Sequence, residues 1–156
     1  MAFIQVSESL PATSVPDSLR TRLEYAATIA LESTGAPSQA GLSIVIADDT
    51  LLQALNLQYL GIDSPTDVLS FPAEEPDPDT GQPYLGDILI SHPRARAQAE
   101  AAGHPVEAEL CLLTVHGILH LVGHDHAEED QKAAMWSLQA QILDRLGFPS
   151  LKFQEE

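Results

Sequence analysis

Residues 110 to 122, LCLLTVHGILHLV, form an apolar run broken only by Thr114, Gly117 and two histidines. A helix that is apolar around its whole circumference has to be covered on every side, so this segment predicts a helix at the centre of a domain. Pro105 suits the first turn of such a helix, and Gly123 suits its end, where a residue with positive φ costs a glycine nothing. The 156 residues suffice for one core of this kind, and 1–156 reads as a single domain. With 44% hydrophobic but only 5% aromatic residues, the core is expected to be Leu, Ile, Val and Ala.

The remaining elements are arranged around that helix. Residues 2 to 6 alternate weakly and read as an edge strand. Pro16 to Thr34 reads as a helix, with Leu19, Leu23, Ala27, Ala30 and Leu31 on one face and Gly35 just past its end. Leu42 to Ala47, LSIVIA, is short and β-branched, a strand. Asp48 or Asp49 is placed to cap a helix carrying Leu51, Leu52, Leu55 and Tyr59. Asp67–Phe71 and Leu85–Ser91 are strands joined by the acidic, proline-rich AEEPDPDTGQP as a hairpin. A helix runs from Pro93 to about Gly103, and the last begins at the acids Glu128, Glu129 and Asp130 and stops at Gly147. The order β-α-β-α-β-β-α-α-α predicts an α+β fold, a small mixed β-sheet packed with helices.

All six histidines lie between 92 and 126, and four occupy the eleven residues HGILHLVGHDH. At the chain's average frequency that window would hold about 0.4 of a histidine, so composition does not produce the cluster. His116 and His120 are four apart and share a helix face. Two imidazole nitrogens bound to one tetrahedral Zn²⁺ stand about 3.3 Å apart, which that spacing can reach. A turn at Gly123 brings the chain back to deliver His126. Three neutral imidazoles, His116, His120 and His126, holding one Zn²⁺ leave a fourth position for water, the arrangement of catalytic zinc. Metal is expected to leave as those imidazoles protonate, near or below pH 6.5.

The other chemistry-bearing residues have plainer readings. Cys111, the lone cysteine, packs as a small hydrophobe. His92 and His104, each before a proline at a helix start, read as surface or capping residues. Asp125 forms an Asp-x-x-Glu capping box with Glu128, or supports a metal-bound imidazole. His124 lies at the turn, with a lesser claim as ligand or substrate contact. The spacing H-x-x-x-H-x-x-G-x-x-H is that of metzincin proteases, except that Gly117 stands where those enzymes carry their general-base Glu.

Taken with NLQYLGIDSPTDVLSFP at 56–72, LGDILIS at 85–91 and MWSLQAQIL at 135–143, HGILHLVGHDH resembles the YbeY family of bacterial endoribonucleases. The resemblance implies a fold distantly related to zinc proteases, with a zincin-like metal helix. It implies zinc on His116, His120 and His126, cleavage of single-stranded RNA, and a role in ribosomal RNA maturation and ribosome quality control. Its implied partners are ribosomal RNA and the ribosome or its small-subunit proteins. Two positions depart from the family: His124 where Tyr is common, and Leu60 where N-x-x-Y-R usually has Arg, a residue regarded as important for RNA processing.

The formal net charge is −16, with 7 Lys plus Arg against 23 Asp plus Glu. That excludes a protein gripping nucleic acid or an anionic membrane through bulk positive charge. Neither a signal peptide nor a membrane span is read, and a cytoplasmic location is expected. Weak affinity for bare RNA follows, with delivery by the ribosome or one of its basic proteins. Among the seven cations, Arg94 and Arg96 are the better candidates for phosphate contact, because their helix precedes the histidine helix. Two other readings keep the same trio: a peptidase-like zinc hydrolase drawing its base from Asp67, Asp87 or Glu109, and an assembly factor with mainly structural zinc. The general base and the oligomeric state are not legible.

Overall fold

In the computed structural model, which describes residues 2–8, 10–37, 39–73, 75–125 and 127–148, the apolar run is a helix placed where its composition demands. Strands β1 (Ala2–Val6), β2 (Gly41–Ala47), β3 (Val68–Pro72) and β4 (Tyr84–Ser91) form one mixed sheet in the order β1-β2-β4-β3. β1 and β4 flank β2 in parallel, and β3 pairs antiparallel with β4 as the expected hairpin. β4 is central because Ile88, Leu89 and Ile90 are all buried, an apolar run suited to a strand covered on both faces. β3 ends at Pro72, and an edge is where proline is tolerated in a sheet.

Five helices follow the expected order: α1 (Asp17–Thr34), α2 (Asp49–Leu60), α3 (His92–Ala102), α4 (Val106–Leu121) and α5 (Glu129–Arg145). The Asp48 side chain caps α2 by accepting from the Leu51 N–H at 2.9 Å. On α2 only Leu52 of the expected apolar face is fully buried; Tyr59 is exposed and its ring tilts against Phe71 at 5.1 Å. α4 packs against α1, α3, α5, β3 and β4. Ile4, Leu42, Ile44, Ile46, Ile88 and Ile90 project from the sheet into one core with α1, α4 and α5. Cys111 is buried in that core, where the loss of hydration pushes its thiol up to about 11 and leaves it inert.

The second face of the sheet is only partly covered. α2 packs Leu52 against Ala47, Leu69 and Leu89, while beside it an open groove of about 720 Å³ is lined by Phe3, Gln5, Ser43, Tyr84 and residues 73 and 75–78. A register shift between β2 and β4 at Gly86 (φ +138°) places Tyr84 and Asp87 together on this face, with the phenol donating to the carboxylate at 2.5 Å. A Cβ on Gly86 would lie 2.2 Å from the Phe71 carbonyl oxygen, so only glycine fits there. Among the described residues no helix is long and apolar enough to cross a membrane.

Candidate metal centre

His116 and His120 sit one turn apart near the C-terminal end of α4, the first buried and the second half-buried. Their Nε2 atoms stand 3.1 Å apart, with the rings edge to face at 78°. The Nδ1 of His116 lies 3.0 Å from Oε1 of Gln139, a buried residue of α5. An amide oxygen only accepts, so Nδ1 carries the proton and, in the neutral ring, Nε2 presents its lone pair toward His120. Two imidazoles converging at this separation fit the edge of a tetrahedron around a zinc-sized, nitrogen-preferring cation. Trp136, one turn before Gln139, meets the His116 ring edge to face at 5.8 Å.

After His120 the chain reverses. Gly123 adopts φ +103°, its N–H bonds the His120 carbonyl and the His124 N–H bonds the Leu119 carbonyl at 2.9 Å. This is the positive-φ helix end expected at Gly123. His126 itself lies outside the described residues, and among those described no group of three His, Cys, Asp or Glu side chains forms a metal cage. His124 is half-buried at the turn. Asp125 does not cap α5: that helix begins at Glu129 with Glu128 as its N-cap, so Asp125 precedes the cap by three residues and the expected capping box is absent.

Gly117 is where the metzincin spacing calls for a carboxylate, and the packing explains its absence. A Cβ at 117 would stand 2.8 Å from Cγ2 of Ile88, whose side chain is fully buried on β4. α4 can approach the sheet this closely only without a side chain at that point. The contact is locked by Ser70 of β3, whose hydroxyl donates to the Gly117 carbonyl at 3.2 Å.

The carboxylates weighed as alternative bases are engaged elsewhere. Asp87 lies on the sheet face opposite α4. Asp67, expected near a surface, is 4% exposed and accepts from the Val68 N–H at 2.8 Å and the Gln98 amide at 3.3 Å. Glu109 is 1% exposed rather than on a helix surface, 3.1 Å from His104 Nε2. Its burial raises its pKa, an effect opposed by the hydrogen bond from His104. Thus His104 is a half-buried partner of Glu109, and His92 is buried, held below its usual pKa first by desolvation and then by Arg96. Sequence reasoning missed both because each histidine's partner is set by packing rather than by a local pattern.

The YbeY family, described as Endoribonuclease YbeY, matches residues 5–147. This chain belongs to the YbeY family. Endoribonuclease YbeY of Desulforamulus reducens is 40% identical over 138 residues, 86% of this chain and 90% of that one. The YbeY protein of Pelotomaculum thermopropionicum is 38% identical over 146 residues, covering 92% and 96%. The solution structure of TM1509 from Thermotoga maritima is similar with a TM-score of 0.61 at 26% identity, over 94% of this chain and 89% of that one. YbeY membership agrees with the α+β architecture, and the matched range holds both converging histidines and the Gly123 turn.

Proposed function

We propose that this chain is an endoribonuclease that cleaves single-stranded RNA with one zinc ion, in ribosomal RNA maturation and ribosome quality control. His116, His120 and His126 are the proposed ligands. The observation that carries the reading is the convergence of the two α4 imidazoles at 3.1 Å, with Gln139 fixing the protonated nitrogen of the first. Family membership and the relatives' name, Endoribonuclease YbeY, support RNA as the substrate. When bound, zinc would supply Lewis acidity toward a phosphoryl oxygen and toward water. The chain's own part is to aim the imidazoles at a common point. The Gln139 carbonyl oxygen accepts a hydrogen bond from the His116 Nδ1–H, which fixes that ring's tautomer and orientation.

A peptidase reading is disfavoured, because the position of the missing base is filled by Ile88 packing and Asp67, Asp87 and Glu109 are committed to other contacts. A specific feature favours a second reading, in which the protein assists ribosome assembly with weak cleavage. Leu60, 59% exposed, lies with exposed Leu57, Tyr59 and Ile62 at the end of α2, offering an apolar patch and no charge for phosphate. One comparison separates the two. Purified protein is expected to cleave structured ribosomal RNA, to lose that activity with a zinc chelator and to regain it with added zinc. Cleavage that is indifferent to the chelator rejects the metal-dependent reading. No cleavage by the parent but recovery in Leu60→Arg favours the assembly role.

A further inference from the structure

Lys132, Trp136 and Gln139 are spaced i, i+4 and i+7 on α5 and therefore share one face. The last two touch His116, by a ring contact and a hydrogen bond. The Lys132 ammonium lies 5.8 Å from the centroid of the Trp136 ring. Lys132 is half-buried, and cation–π attraction to the indole restrains an otherwise mobile ammonium over that ring. The indole that seats the cation is the one that walls His116.

The other cations among the described residues have contacts with other groups. Arg20 donates to the Ile4 carbonyl at the edge strand. Arg22 lies 3.7 Å from Glu107 and over the Phe148 ring. Arg145 bonds Ser33 at 2.7 Å and lies 3.8 Å from Glu32. Arg94, favoured from sequence, is tied to Asp49 at 3.4 Å, and Arg96 stands exposed on α3 near His92. In a chain of net charge −16 the overall charge does not draw a phosphate to the histidines, so any attraction there must come from a positive charge positioned locally.

We infer that Lys132, seated on Trp136, is the residue that receives a phosphate of single-stranded RNA beside the α4 histidines. This rests on the proposed ribonuclease reading and makes Lys132 a substrate-binding residue. Trp136 positions it. Contact with one phosphate implies counterion release and a defined contribution to the salt dependence of binding.

Trp136 is the only tryptophan, so its fluorescence reports on this wall directly. The experiment titrates metal-free protein with zinc, and separately titrates metal-free and zinc-loaded protein with single-stranded decauridylate at several salt concentrations. Wild type is compared with Lys132→Ala, Lys132→Arg and Trp136→Leu. The Trp136→Leu variant is followed with labelled RNA. Lys132→Ala is expected to weaken decauridylate binding about tenfold at low salt and to reduce the slope of log K against log salt by about 0.7. Lys132→Arg is expected to restore both, and the zinc titration to be unchanged in either variant. Trp136→Leu should lower affinity while leaving the salt slope near wild type, since the charge remains but is no longer seated.

An unchanged slope and affinity in Lys132→Ala, or no decauridylate binding by wild type at low salt, overturns the inference. A wild-type protein that shows no fluorescence response to zinc counts against the metal reading instead. The RNA arm on metal-free protein still decides the role of Lys132.

Discussion

His116→Ala and His120→Ala are each expected to weaken zinc binding by well over a hundredfold and to reduce RNA cleavage to background. The loss exceeds the roughly 10- to 100-fold that removal of an outer partner of a metal ligand costs, because each variant deletes a ligand itself. The two should not be equal in their effect on the fold. His116 is 2% exposed and surrounded by core residues of α4 and by Gln139 and Trp136, so alanine there also opens a cavity and leaves the Gln139 amide without its partner. His120 is half-buried, and its loss is expected to leave the metal-free protein nearly as stable as wild type. Thermal unfolding of the metal-free variants beside zinc titration separates the two effects. Full zinc affinity in His120→Ala contradicts the ligand assignment.

The second large effect is expected at Gly117, where the structure replaces a catalytic carboxylate with close packing. Alanine there places a Cβ 2.8 Å from Cγ2 and 3.1 Å from Cδ1 of Ile88. Ile88 is fully buried and β-branched, with little rotamer freedom to move aside. Overpacking of this kind costs about 1–3 kcal/mol, and the better helix propensity of alanine offsets about 1 kcal/mol of it. A net loss of up to about 2 kcal/mol is expected by denaturant unfolding. Gly117→Ala combined with Ile88→Ala should cost less than the two single changes summed, since the second makes room for the first. Gly117→Glu is the sharper case. It forces a carboxylate into the apolar contact between α4 and β4, a cost of about 5 kcal/mol or more, enough to unfold a domain of ordinary stability. A Gly117→Glu protein that folds normally and hydrolyses peptides would show that the strand does not exclude the side chain.

Both effects originate in residues the sequence marked, but for different reasons. The i, i+4 spacing of His116 and His120 is a local property of a helix, and so was legible without any tertiary information. So were the hairpin, with its strands on either side of the acidic loop, and the burial of α4. The meaning of Gly117 was half legible: the missing Glu could be seen, whereas the Ile88 side chain that forbids it belongs to a strand 29 residues earlier. Gln139 and Trp136 went unnoticed because the packing of α5 on α4 leaves no spacing signal. One sign existed, since Gln139 is a polar residue on the same buried stripe as Met135 and Ile142, and a buried amide needs a partner. The capping box at Asp125 failed because Asp-x-x-Glu is common, and the turn at Gly123 delays the start of α5 beyond it. Arg94 was favoured by chain proximity to α4, but the fold ties it to Asp49, whereas Lys132 meets Trp136, the ring that touches His116.

The charge of −16 is reconciled with an RNA substrate by location rather than by sum. Asp77 and Asp79 lie in the hairpin loop, with Asp77 lining the groove on the sheet face opposite α4. At physiological salt, fields are largely screened beyond about 8 Å. What the site requires is local positive charge, which the lysine on α5 and a bound divalent cation would provide. Tight, salt-resistant binding of long bare RNA is not expected of such a surface.

X-ray absorption at the zinc edge of the purified, zinc-loaded protein tests the central claim most directly. The expected spectrum has a first shell of nitrogen and oxygen at about 2.0–2.1 Å with the outer-shell pattern of three imidazoles, falling by one imidazole in His120→Ala. A sulfur-containing shell, an imidazole count unchanged by that substitution, or a protein that retains no zinc would contradict it.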